Sequence, residues 1–236
     1  MRVLIFSPHP DDSEFGMGGT LLSLVQNGSL VNVVVITDGG GCSHVSAEQR
    51  WIEQCKASDY GKYTISCLQL EDGNIDASEC LGKCIEVIID FQPNIVFAPY
   101  PYVGHLLSNH PDHETTGCLV REAVRRARIS GVNSKRHIVN KLFYYYVPRD
   151  VQPTVYVDIT KVMNQLVRLW SCFESQLQTN KRSIEVLTSQ RIYISTDTDG
   201  IPVEAFVSAS PIIVPAESLS VILLNRNEEG NENEHV

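Results

Sequence analysis

Residues 3–19 of the chain read VLIFSPHPDDSEFGMGG, and this stretch decides the fold. A short apolar run leads through a polar segment into a helical pattern, and similar short runs recur at 30–37, 64–70 and 95–99. Stretches with helical periodicity lie between these runs, at 18–26, 47–60 and 78–91. Runs this apolar are typical of parallel strands buried on both faces and joined by helical crossovers. The sequence therefore predicts an α/β, Rossmann-like three-layer fold with a mainly parallel central sheet.

The remaining patterns are expected to complete the same domain. They predict a helix at 114–128, strands at 142–147 and 154–157, one long amphipathic stretch at 159–178, and strands at 204–207 and 219–224. No repeat or linker interrupts residues 1–224, so a single domain is predicted there. Residues 225–236 carry four glutamates with almost nothing apolar, which predicts an acidic flexible tail.

Composition excludes several classes of function. The 236 residues include 19 Lys+Arg and 28 Asp+Glu, a net charge of -9, and no basic block. Neither a nucleic-acid partner nor a membrane partner is expected of such a chain. Without a long apolar segment or an export signal, the protein is predicted to be cytoplasmic. Its seven cysteines are scattered and form no C-x-x-C pair, which predicts reduced, mostly buried thiols.

The polar segment at 9–19, HPDDSEFGMGG, carries the most chemistry. Gly16 and Gly18 supply half of a dinucleotide-binding G-x-G-x-x-G, but Leu21 stands at the third glycine position. The three acids of the segment would lie against a pyrophosphate, and two like charges about 4 Å apart repel by about 4 kcal/mol. A histidine among carboxylates instead favours a cation such as zinc. The simpler alternative is a polar turn, with glycines that let the chain turn tightly.

A second histidine cluster, NHPDH at 109–113, follows the fourth predicted strand. The ends of strands one and four can meet at one edge of such a sheet, and two histidines three residues apart at a helix start can face one point. Helix capping alone does not explain the repeated H-P-D. A hydrolytic zinc site needs three protein ligands, a base and an oxyanion donor. Five residues are enough for these roles, although spacing alone does not distribute them: His9, Asp11, Asp12, His110 and His113.

The two motifs together resemble those of the LmbE-like, or PIG-L-type, zinc-dependent N-acetylglucosaminyl deacetylase family. The first family motif, H-P-D-D-x-E-x-G-x-G-G, matches residues 9–19, and the second, H-P-D-H, matches 110–113. Weaker similarities are an R-x-x-E-x-x-x-A-x-x-x-G pattern at 50–61, V-D-I-T at 157–160 and F-E-S-Q at 173–176. The resemblance covers about residues 1–207.

The resemblance assigns the roles that spacing left open. It implies that His9, Asp12 and His113 bind Zn²⁺. Asp11 would be the general base that takes a proton from the attacking water. Protonated His110 would stabilise the oxyanion or protonate the departing amine.

Further residues receive supporting roles from the same resemblance. Arg50 would contact substrate hydroxyls, and Asp112 would orient a histidine ligand, as metal-bound imidazoles usually require. Glu14 would either support a ligand in the same way or simply be an acid favoured at a helix N-terminus. Asp72-Gly73 falls near a family turn that faces the pocket, but an ordinary turn is the simpler interpretation.

The implied activity is zinc-dependent removal of the N-acetyl group from an N-acetylglucosamine-type amino sugar or its conjugate, with release of acetate. Two alternatives remain open. One is another metal-dependent amidase on a sugar conjugate, as in thiol-cofactor or antibiotic biosynthesis. The other is a non-catalytic Rossmann-like binding module with a vestigial site. The resemblance also implies a homo-oligomer, a trimer or hexamer.

Overall fold

A seven-stranded sheet runs through the molecule. The computed structural model describes residues 1–41, 45–101, 110–130, 135–179, 183–194 and 198–212. Its strands are β1 (Arg2–Ser7), β2 (Leu30–Thr37), β3 (Thr64–Leu70), β4 (Ile95–Pro99), β5 (Lys141–Tyr145), β6 (Val155–Asp158) and β7 (Val203–Ser208). They are ordered β3-β2-β1-β4-β5-β7-β6, with β1 to β5 parallel and β7 antiparallel to both neighbours. The predicted Rossmann-like architecture is confirmed.

Helices cover both faces of this sheet. They are α1 (Asp12–Gln26), α2 (Ala47–Gly61), α3 (Ala77–Phe91), α4 (Pro111–Ser130), α5 (Met163–Trp170), α6 (Glu174–Thr179) and α7 (Ile184–Ile194), with a 3₁₀ turn at Thr160–Val162. In β1, Val3 and Ile5 join the core on the α1 side, whereas Leu4 and Phe6 join the core on the α3 and α4 side. Because both faces of β1 are buried, its side chains at 3–6 are all apolar, and this continuous apolar run is what predicts a strand from the sequence.

Helix α1 starts earlier than predicted, at Asp12 rather than Gly18, and bends at Met17, whose φ is -148°. The glycines around the bend allow close packing. A Cβ on Gly18 would come within 2.7 Å of Leu166, and one on Gly19 within 2.7 Å of Ile159. The expectation that these glycines serve a tight turn is therefore wrong, because their small size is what brings α1 against the elements that follow β6.

At the bend in α1, two backbone N–H groups donate to a side chain far along the sequence. The Glu204 carboxylate on β7 takes the N–H of Gly19 at 2.9 Å and that of Thr20 at 2.7 Å. Arg191 lies 3.5 Å from the same carboxylate. Glu204 is buried, so these contacts replace the water it has lost. The predicted strand at 204–207 thus exists as β7 and also completes α1.

The long amphipathic stretch predicted at 159–178 is not continuous. It divides into the 3₁₀ turn, α5 and α6, because Trp170 and Phe173 both turn into the core at the junction. The Trp170 indole N–H also donates to the Glu14 carbonyl oxygen at 2.9 Å. Helix α7 had no counterpart in the sequence patterns. The strand predicted at 219–224 and the tail at 225–236 lie outside the described residues.

Two further expectations concern the cysteines and the membrane. Six free cysteines are described, and only Cys80 and Cys84 among them are buried, so the prediction of mostly buried thiols is wrong. Cys118 is exposed, and the other three are half-buried. Among the helices of the described segments, none is long and apolar enough to cross a membrane.

Candidate active site

The fold brings the two H-P-D segments together. His9 and Asp11 follow β1, Asp12 opens α1, and His110 and His113 lie at the start of α4, which follows β4. Strands β1 and β4 are neighbours, and the chain order reverses between them. In open parallel sheets, ligands bind at such a switch point beyond the carboxyl ends of the strands. As predicted, the two H-P-D motifs lie next to each other at this edge of the sheet.

A His₂Asp cluster forms the centre of the site. Asp12 Oδ2 lies 2.9 Å from His9 Nδ1 and 3.1 Å from His113 Nε2. One ligand atom from each of these residues lies within 4.8 Å of the others, close enough for one ion. Two imidazoles and a carboxylate are a donor set found in catalytic zinc sites, which keep a further position for water or substrate. The residues therefore fit the metal that the resemblance implies.

The other edge of His9 faces two more acids. His9 Nε2 lies 3.0 Å from Asp72 Oδ1 and 3.1 Å from Asp112 Oδ2. Burial would lower the pKa of His9, but hydrogen bonds to Asp112, Asp12 and Asp72 outweigh it and raise that pKa to about 12. Three carboxylates around one imidazole make a strongly anionic site that favours a cation.

Asp72 is thus a site residue that sequence reasoning treated as an ordinary turn. It is buried, and its Oδ2 also accepts the Gly41 N–H at 3.0 Å. Its position could have been found from the end of β3, because Asp72 stands two residues beyond that strand at the same edge of the sheet. Asp112 Oδ2 also accepts the Gly73 N–H at 2.8 Å, which joins this turn to α4.

Asp11 lies beside the cluster in a strained conformation. Its φ of 103° is in the left-handed region, which costs a non-glycine residue about 1–3 kcal/mol. Gln54 Oε1 accepts the Asp11 N–H at 2.9 Å, and Arg50 Nη2 donates to Asp11 Oδ2 at 3.1 Å. These two α2 side chains hold the turn, and strain of this kind concentrates at functional sites.

Arg50 lies beneath the motif, with only 7% of its surface exposed. Besides Asp11, its guanidinium donates to the carbonyl oxygens of Gly39 and Pro10, both at 2.8 Å. These contacts show Arg50 supporting the turn that carries Asp11. Its expected contact with substrate hydroxyls stays a prediction.

His110 is partly exposed and lies edge-on to His9, with the ring centroids 4.6 Å apart. Its Nδ1 accepts the Asp112 N–H at 3.3 Å. Burial and the neighbouring His9 charge lower the pKa of His110. His110 thus combines a partly exposed side chain with a lowered pKa.

Glu14 is fully buried under the motif. Its carboxylate accepts hydrogen bonds from Tyr63 at 2.5 Å, Gln54 at 2.7 Å and Ser13 at 2.8 Å. Burial raises the pKa of Glu14, although these donors act in the opposite direction. Because Gln54 also accepts the Asp11 N–H, Glu14 supports the turn that carries Asp11 rather than a histidine.

Tyr146 is a second residue that the sequence patterns missed. It follows β5, its hydroxyl lies 3.3 Å from Asp12 Oδ1, and its ring stacks on that of His113 with centroids 5.3 Å apart. The available signal was its position, since β5 ends at the same edge as β4.

Comparison with known proteins agrees with this geometry. Residues 4–124, about half of the chain, match the family described as PIG-L, GlcNAc-PI de-N-acetylase. The chain belongs to the PIG-L family. The matched segment of this PIG-L protein contains both H-P-D motifs, Arg50 and Asp72, whereas Tyr146 and Glu204 lie beyond it.

Relatives of the PIG-L protein extend over most of its length. It is 31% identical over 191 residues to a diacetylchitobiose deacetylase of Thermococcus kodakarensis, covering 74% of this chain and 70% of that one. An N,N'-diacetylchitobiose deacetylase from Pyrococcus horikoshii, solved with an inhibitor, superposes with a TM-score of 0.78 at 26% identity, covering 92% of this chain and 88% of that one. The conserved protein TT1542 from Thermus thermophilus superposes with a TM-score of 0.80 at 27% identity, covering 91% and 97%.

Proposed function

We propose that this protein is a zinc-dependent deacetylase that removes the N-acetyl group from an N-acetylglucosamine-type amino sugar or its conjugate and releases acetate. The observation that carries the proposal is the convergence of Asp12 Oδ2 with His9 Nδ1 and His113 Nε2, at 2.9 and 3.1 Å, in a deacetylase family. The diacetylchitobiose deacetylases among its relatives support an N-acetylated sugar as the substrate.

His9, Asp12 and His113 would hold the ion. A zinc ion in such a site lowers the pKa of water and polarises a carbonyl. Asp72 and Asp112 face His9 Nε2, so they fix the orientation of this imidazole from the ring nitrogen opposite the one that faces Asp12.

Asp11 is proposed as the general base. Arg50 donates to its Oδ2, and the left-handed backbone at Asp11 sets the direction of this carboxylate. It takes a proton from the water whose oxygen attacks the acetyl carbon. His110 stabilises the oxyanion and gives a proton to the amine nitrogen as the C–N bond breaks. Acetate and the free amine are the products.

The first prediction separates the base from the ligands. Asp11→Asn removes the base, and asparagine tolerates a left-handed backbone. We expect this variant to keep one zinc per chain while acetate release from N,N'-diacetylchitobiose or N-acetylglucosamine falls about 100- to 10,000-fold. His113→Ala should instead lose the metal. Metal content is measured by elemental analysis and acetate by a coupled assay.

Asp90→Asn is the matched control, because this exposed aspartate lies on α3 in the opposite layer. It should change neither quantity. An Asp11→Asn variant that releases acetate at the native rate would overturn the assignment of the base. Wild-type protein that takes up no transition metal would overturn the deacetylase proposal and favour a binding module.

A further inference from the structure

Tyr146 contacts two of the three proposed metal ligands at once. Its hydroxyl lies 3.3 Å from Asp12 Oδ1, and its ring lies nearly parallel to that of His113, at an interplanar angle of 12°. Tyr146 itself lies outside both H-P-D motifs, since it follows β5.

The two oxygens of Asp12 have different partners. Oδ2 faces His9 and His113, whereas Oδ1 faces the Tyr146 hydroxyl. A hydroxyl beside Oδ1 can donate to it, which keeps that oxygen turned away from the point where the other ligand atoms converge. We propose that Tyr146 is a positioning residue that restricts Asp12 to a single metal-binding oxygen. This inference rests on the proposed zinc site.

Tyr146 also restricts the orientation of the His113 ring. A metal-bound histidine is usually oriented by a hydrogen bond from its other ring nitrogen, as Asp72 and Asp112 orient His9. His113 Nδ1 is buried and has no such partner among the described residues. The stacked Tyr146 ring is therefore placed to hold the plane of His113, whose Nε2 faces Asp12.

The surroundings hold Tyr146 firmly. Its φ of 54° is left-handed, a conformation that persists in a non-glycine residue only when its neighbours impose it. The absence of a side chain at Gly16 makes the room, since a Cβ there would lie 3.2 Å from the Tyr146 ring and 2.5 Å from that of Tyr145. Tyr145 is itself anchored by its hydroxyl, which donates to the Phe6 carbonyl oxygen at 2.8 Å.

The experiment uses Co²⁺ in place of zinc, because the intensity of the visible d–d bands of cobalt falls as its coordination number rises. Tyr146→Phe keeps the ring but removes the hydroxyl, so Asp12 becomes free to bind through both oxygens. At saturating Co²⁺ we expect the d–d absorption of this variant to fall by about half, relative to wild type. Tyr146→Leu also removes the stacked ring, and its zinc affinity, measured by competition with a chromogenic chelator, should fall about 10- to 100-fold.

The control is Tyr144→Phe, which removes a buried hydroxyl from β5, two residues before Tyr146, in the core on the α3 and α4 side. Its cobalt spectrum and zinc affinity should match those of wild type. A Tyr146→Phe spectrum superimposable on that of wild type would overturn the role of the hydroxyl, and unchanged zinc affinity in Tyr146→Leu would overturn the role of the ring. If wild-type protein binds no Co²⁺ at all, the zinc site itself fails rather than this inference.

Discussion

At the scale of single residues, the buried Glu14 carboxylate links parts of the chain that are distant in sequence. Tyr63 follows α2, Gln54 lies within α2, and Ser13 lies in α1, yet all three donate to the same side chain. Burying a carboxylate is tolerated only when its hydrogen bonds are replaced in this way. The turn that carries Asp11 therefore depends on a buried carboxyl group whose donors come from α1, from α2 and from the segment after α2.

Tyr63→Phe tests this dependence. It removes a hydroxyl that donates to a fully buried carboxyl group, so we expect the free energy of unfolding to fall by about 1–3 kcal/mol. Denaturant titration followed by circular dichroism measures the change. Tyr60→Phe changes an exposed hydroxyl on α2 and should alter stability by less than about 0.5 kcal/mol. Equal stability of Tyr63→Phe and wild type would mean that the Glu14 cluster contributes nothing.

The residues that sequence reasoning found are those with a distinctive local pattern. His9, Asp11, Asp12, His110 and His113 stand in two repeated H-P-D segments. The structure gathers the three histidines and Asp12 in one cluster, and Asp11 adjoins this cluster through the chain. Asp72, Gln54 and Tyr146 stand in ordinary sequence surroundings, and their contacts span large separations along the chain. Such contacts depend on strand order and helix packing, which a single sequence does not reveal.

At the scale of elements, the bend in α1 is the clearest departure from the sequence prediction. A regular helix would satisfy the N–H groups of Gly19 and Thr20 internally, but here the Glu204 carboxylate accepts both. The strands of the N-terminal half were predicted closely, because each is a buried apolar run. The 159–178 stretch was not, because core insertion of Trp170 and Phe173 outweighs helical periodicity there.

Glu204→Gln weakens the contact that completes α1. The amide keeps one acceptor oxygen but loses the negative charge and presents an N–H₂ to a backbone donor. We expect the free energy of unfolding to fall by about 2–3 kcal/mol, measured by denaturant titration. Glu185→Gln, an exposed change on α7, is the matched control and should leave stability unaltered. A Glu204→Gln variant as stable as this control would show that the charged acceptor for the Gly19 and Thr20 N–H groups does not stabilise the bend.

At the scale of the whole molecule, the described segments from residue 183 to residue 212 form part of the sheet and its core. Strand β7 pairs with both β5 and β6, and Leu187 of α7 lies in the same core as α1. A single domain at 1–224 with a flexible acidic tail at 225–236 stays a prediction, as does assembly into a trimer or hexamer.

Two truncations test the domain prediction. A chain ending at residue 224 loses only the acidic segment, whose composition predicts a solvated tail, and should melt within about 1 °C of the full chain. A chain ending at residue 202 loses β7 and Glu204 and should show no cooperative thermal transition. Differential scanning calorimetry distinguishes the two. A lower melting temperature for the 224-residue chain would mean that the tail packs on the domain.

The bond between Gly19 and Glu204 spans 185 residues, and this sets an order of events during synthesis. The H-P-D-D segment leaves the ribosome well before β7 does, and α1 cannot be completed until β7 has emerged as well. Strands β1 to β5 are therefore synthesised, with their apolar side chains exposed, before the residue that completes α1 is available to pack against it.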